Sequence, residues 1–96
     1  MTLYPIVIHK DPDSDYGVTV PDLPGCFSAG VTMEEAMAMA QEAILGHIET
    51  LLMDSQPIPE MLPIEAHMSD EFYADGIWAV IEVDLSVLAV AVQPHA

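Results

Sequence analysis

The chain has 96 residues, enough for one compact domain with a modest core. Sixteen Asp and Glu side chains stand against one basic side chain, Lys10, for a formal charge of −15. That balance excludes direct nucleic-acid binding, which rests on Lys and Arg neutralising phosphates, and attachment to an anionic membrane surface. At 52% hydrophobic residues the composition is that of a folding chain and not a disordered one. No apolar run approaches the roughly 18 residues of a membrane span. The N-terminus shows no basic region ahead of its apolar run, and Cys26 has no second cysteine to pair with, so a cytoplasmic protein is expected.

Residues 3–9, Leu-Tyr-Pro-Ile-Val-Ile-His, are rich in β-branched and aromatic side chains and read as a strand. Pro5 cannot donate a ladder hydrogen bond, which places it near the strand's start or on an unpaired side. Asp11-Pro12-Asp13-Ser14-Asp15 is a turn by composition, and Tyr16, Val18 and Val20 then alternate as in a half-buried strand, completing a hairpin. Pro21-Asp22-Leu23-Pro24-Gly25 breaks the chain again, and Cys26 to Gly30 is a short third strand.

Thr32 and Glu35 form a capping box, the hydroxyl accepting from the Glu35 amide and the carboxylate reaching back to the Thr32 amide. Apolar residues then recur at Met33, Ala36, Met37, Ala40, Ile44, Ile48, Leu51 and Leu52, predicting a helix from 33 to about 53. Residues 54–63 carry three prolines and are a loop. Within 64–75 only Ser69 to Tyr73 suggests a short helical turn. Gly76 to Leu85 reads as a strand covered by the helix. The tail, residues 86–96, is apolar and strand-prone, either a dimerisation strand or a disordered end. The expected architecture is α+β: a three-stranded antiparallel meander, one long helix packed on the sheet, and a further strand, in the order β-β-β-α-β.

Few residues invite chemistry. The four histidines have no zinc-ligand spacing, so no metal or other cofactor is expected. Asp11, Asp13, Asp15 and Asp22 fall at calcium-loop positions, but Tyr16 replaces the required glycine and Asp22 the bidentate Glu. Cys26 follows a Pro-Gly turn among acidic neighbours that disfavour a thiolate. Glu82 and Asp84 share a strand face and, with one of Asp11 to Asp15, are the set a metal-dependent nuclease would need, although the charge opposes a polyanionic substrate. The turn at 21–25 is either a plain strand connection or a rigid knob, Asp22-Leu23-Pro24, offered to a partner.

The run from Asp15 through Tyr16-Gly17-Val18-Thr19-Val20-Pro21-Asp22-Leu23-Pro24-Gly25-Cys26-Phe27 to Gly30, with Thr32 and Glu35-Ala36 after it, resembles the HicB-like antitoxin family. The likeness covers residues 3–53 closely and reappears at Gly76-Ile77-Trp78 and Val83-Asp84-Leu85. Tyr16, Gly17, Pro21, Pro24 and Gly25 are its structural motif residues. The resemblance implies a partial ribonuclease H-like fold without the nuclease's acid set. It also implies neutralisation of a small basic HicA-type toxin, an RNA-cleaving protein, by an antitoxin that forms dimers or higher oligomers. Residues 1–85 would be this domain and 86–96 a short tail. Relatives that continue into a DNA-binding segment repress their own operon, and no such segment is read here.

The charge agrees with that expectation, since a −15 protein suits a cationic partner. The expected reading is an antitoxin with no catalysis of its own, meeting its toxin through Asp22, Leu23, Glu34 and Glu35, where the prolyl turn approaches the helix start. The rivals are the metal-dependent nuclease above and an orphan protein-interaction module.

Overall fold

The computed structural model describes residues 2–91. Strand β1 (Thr2–Lys10) pairs with β2 (Tyr16–Thr19), β2 with β3 (Phe27–Gly30), and β4 (Ile77–Val83) returns along the other side of β1. The sheet order is β3-β2-β1-β4 and every pairing is antiparallel. Helix α1 (Met33–Met53) lies on one face, joined to β4 by a long segment carrying helix α2 (Ile64–His67) and a 3₁₀ turn (Glu71–Tyr73). The architecture is the α+β arrangement that the sequence predicts, with β1 as a central strand. Pro5 is tolerated there because β2 pairs with β1 only from Val7 onward, so the proline lies outside that ladder.

Alternation divides the sheet. Tyr4, Ile6 and Ile8 of β1, Val18 of β2 and Ile81 and Val83 of β4 face α1, which meets them with Ala36, Ala40, Ile44 and Ile48. Each fully buried Ile contributes about 1.5–3 kcal/mol of transfer free energy. The small residues sit where the helix begins against β3. An alanine at Gly30 would bring its Cβ within 2.8 Å of the Ala36 Cα, so this glycine sets the closeness of strand and helix. The Ser28 hydroxyl donates to the Ala36 carbonyl at 3.0 Å beside it.

Three local details depart from the sequence reading. Thr32 Oγ1 does accept from the Glu35 amide at 3.0 Å, but Glu35 Oε1 accepts from the Val31 amide at 3.2 Å and not from Thr32. The carboxylate reaches one residue further back than a standard capping box. Residues 64–67, unassigned from sequence, form α2.

The tail supplies the third departure. Residues 86–91 are neither strand nor disordered end but helix α3 (Ser86–Ala91). Asp84 Oδ1 accepts from the Ser86 amide at 3.0 Å and from its hydroxyl at 2.5 Å, and Leu88 buries itself in the core. Both bonds hold the Asp84 carboxyl below its ordinary range, the hydroxyl more than the amide. A local cap plus one core anchor overrides the β-branched composition. Residues 92–96, His95 included, lie outside the described residues.

Candidate functional site

The prolyl turn is two consecutive tight turns. The Leu23 amide donates to the Val20 carbonyl at 3.0 Å and the Cys26 amide to the Leu23 carbonyl at 2.9 Å. Pro24 and Gly25 are the central residues of the second. Gly25 has φ +87°, the left-handed value that a type II turn requires at this place. The turn points inward. Leu23 is 0% exposed and Cys26 3%, and burial pushes the Cys26 thiol upward, so it behaves as a structural cysteine.

Asp22 is buried as well. Its Oδ1 accepts from the Leu62 amide at 3.0 Å and from His67 Nε2 at 2.9 Å. A carboxylate only accepts, so the His67 proton is on Nε2. Oδ2 is buried with no hydrogen-bond partner in the protein. The phenols of Tyr4 and Tyr73 nearby are raised, chiefly by burial, with Asp70 adding to Tyr73 and Asp22 to both. Asp22 and Leu23, expected to face a partner, therefore work inside the fold. Leu23 fills the core, and Asp22 ties a segment forty residues later to the sheet.

That tie shapes the face opposite α1. His67 stacks on Trp78 at 6.3 Å between ring centroids, Tyr73 meets Trp78 edge-on at 5.6 Å, and Phe72 meets His9 at 6.2 Å. These rings cover the β4 start and the far end of β1. At the near end the sheet stays open. Leu3 and Pro5 of β1 and Val80 of β4 form the floor of a groove of about 280 Å³, walled by Met61, Leu62 and Ile64.

The remaining sequence candidates are spread out. Glu34 and Glu35 are exposed in the first turn of α1, where the helix dipole favours anions. Tyr16 is half-buried with the Lys10 ammonium 5.6 Å from its ring centroid. Gly17 sits mid-strand in β2, and Pro21 opens the prolyl turn. Asp11, Asp13 and Asp15 stay in an exposed hairpin turn held by Ser14, whose hydroxyl accepts from the Asp11 amide at 3.0 Å. Glu82 pairs in register with Leu3, at the opposite end of β1 from Asp11, about 26 Å of strand away. The carboxylates that a nuclease would combine are not brought together. Among the described residues no three His, Cys, Asp or Glu side chains are grouped to hold a metal ion, and no helix is long and apolar enough to cross a membrane.

The Asp22–His67 pair is invisible in the sequence because its members lie 45 positions apart. The available signal is weak: a lone aspartate within an apolar, doubly proline-braced turn.

Known proteins resemble this chain in sequence and in fold. A 14.9 kDa protein of the rep–hol intergenic region of Haemophilus phage HP1 is 51% identical over 86 residues, 90% of this chain and 64% of that one. This chain thus spans under two thirds of that relative's length. The crystal structure of the Burkholderia pseudomallei antitoxin HicB superposes with TM-score 0.84 and 40% identity, covering 100% of this chain and 72% of that one. A chain of the HicA3 and HicB3 toxin–antitoxin complex matches with TM-score 0.74 and 31% identity, over 86% of this chain and 99% of that one. Residues 4–94 match the model of the HicB-like antitoxins of bacterial toxin–antitoxin systems, and the chain belongs to that family.

Proposed function

We propose that this chain is an antitoxin that neutralises a small basic HicA-type RNA-cleaving toxin by direct protein–protein binding, without catalysis of its own. Family membership over nearly the whole chain carries the reading. The likeness to one partner of a toxin–antitoxin complex supports it, and so does the charge. A surface that is almost purely anionic attracts a cationic RNA-binding protein and rejects RNA itself. Glu34 and Glu35 are the two sequence candidates that remain on the surface, and they belong to the toxin-facing charge. Self-association into a homo-oligomer and a cytoplasmic location are part of the same reading.

The test is co-expression with a candidate HicA-type toxin, sought in the reading frames adjoining the gene of this chain. Growth arrested by that protein alone should recover when this chain is present, and the two should co-purify. Arrest that persists with both proteins soluble would overturn the reading. RNA turnover by the pure chain in Mg²⁺ or Mn²⁺ would replace it with the nuclease.

A further inference from the structure

The groove where the start of β1 meets the end of β4 is an apolar concavity in a strongly acidic protein, and its surroundings say what fits it. Its floor and wall side chains stay partly open to solvent: Leu3 is 54% exposed, Val80 44% and Leu62 41%. Its volume, about 280 Å³, falls just below the range of about 300–1,000 Å³ typical of small-molecule sites. It suits one or two apolar side chains delivered by a protein.

The ionisable side chains nearest the groove in register and in sequence carry one sign of charge. Glu82 stands directly across from Leu3 in the β1–β4 register, and Glu60 and Glu65 bracket the wall segment; all three are exposed. Lys10 lies seven positions along β1 from Leu3, about 23 Å away, so no lysine or arginine of this chain neutralises the rim. A second copy docked through this same face would set these carboxylates against their own kind.

We infer that this groove is the anchoring site for the basic partner, taking an apolar side chain into the Leu3–Leu62–Val80 hollow while flanking Lys or Arg side chains meet Glu60, Glu65 and Glu82. The inference rests on the toxin-binding reading above and adds to it the place of closest contact. It divides the acidic surface by role. The hollow holds the partner, because a buried apolar anchor governs dissociation. The outlying carboxylates at the helix start, Glu34 and Glu35, steer it, because rim charge mainly governs association. Asp22 is a positioning residue for the same site, since its bonds to the Leu62 amide and His67 hold the wall in place.

The test measures binding rates of the full chain to the same candidate toxin, used as a catalytically inactive variant, at low and high salt. Leu62→Asp and Val80→Asp should raise the dissociation rate at least tenfold. Val80→Thr, which keeps the branched strand-forming shape, should raise it a few-fold and guards against misfolding of the others. Glu82→Lys should weaken binding at low salt, the effect shrinking at high salt. Glu34→Lys with Glu35→Lys should slow association and leave dissociation unchanged. Groove variants that keep their fold and dissociate at the parent rate overturn the inference and leave the toxin reading standing. A parent chain that does not bind overturns both. Groove variants that alter the sedimentation of the chain alone would assign the hollow to a second copy, and the inference fails in that case too.

Discussion

Two turns of this protein are written in nearly the same residues and end in opposite environments. Asp11-Pro12-Asp13-Ser14-Asp15 and Pro21-Asp22-Leu23-Pro24-Gly25 each mix proline with aspartate and each reverses the chain between neighbouring strands. The first is exposed throughout and satisfied locally by Ser14. The second is turned inward, with Leu23 in the core and Asp22 bonded to Leu62 and His67. Composition marks where the chain bends. It does not mark which carboxylate belongs to the solvent, because that depends on what a distant segment lays over the turn.

Substitution should separate the two turns sharply. Leu23→Ala empties a fully buried site and should cost about 2–5 kcal/mol in urea unfolding. Asp22→Ala strands the Leu62 amide and the His67 proton, for a loss of about 2–4 kcal/mol. Asp13→Ala should stay within about 0.5 kcal/mol. Equal costs for Asp22→Ala and Asp13→Ala would dissolve the distinction.

His67→Ala sharpens it from the other side. It leaves the buried carboxylate with the Leu62 amide alone and should cost about 1–3 kcal/mol. Hydrogen exchange should accelerate first at Met61, Leu62 and Ile64, before the sheet opens. Thr32→Ala, at an exposed cap, should cost about 1 kcal/mol and leave that segment's exchange unchanged.

Titration gives a smaller contrast. Asp84 has a depressed carboxyl, so its stabilising effect is present above the unfolded carboxylate range, near pH 4, and is lost as pH falls through the lower folded value. Helix α3 should loosen on acidification, and Asp84→Ala should remove that part of the pH dependence. Cys26 and Tyr4 are raised by burial, so their contribution is full below their unfolded values and is lost as pH rises through the folded ones. The smallest expected effect is general. With −15 to screen, melting temperature should climb as added salt shortens the Debye length from about 30 Å to 10 Å. A flat curve would mean that the exposed carboxylates scarcely repel one another.

Much of the scaffold is legible in the residues alone. The strand order along the chain, the helix from Met33 to Met53 and the Thr32 cap all follow from signals within a few residues of each other. The motif from Asp15 to Gly30 points to the family to which the chain belongs. The site is harder to read. Of the four residues expected to face a partner, Glu34 and Glu35 are exposed and Asp22 and Leu23 are not. The strand-like composition of residues 86–91 also misleads, because the cap at Asp84 and the burial of Leu88 in the core together favour helix.

The sequence by itself determined where the chain bends, which faces of its elements are apolar and how negative the whole must be, because those are properties of neighbouring residues and of sums. Only the tertiary structure decided which aspartate is buried, which part of the sheet face carries the groove and which glutamates flank it. Those depend on Leu62 and His67 arriving beside Asp22, and on β4 crossing back to the far side of β1. No local pattern encodes a meeting between residues forty positions apart.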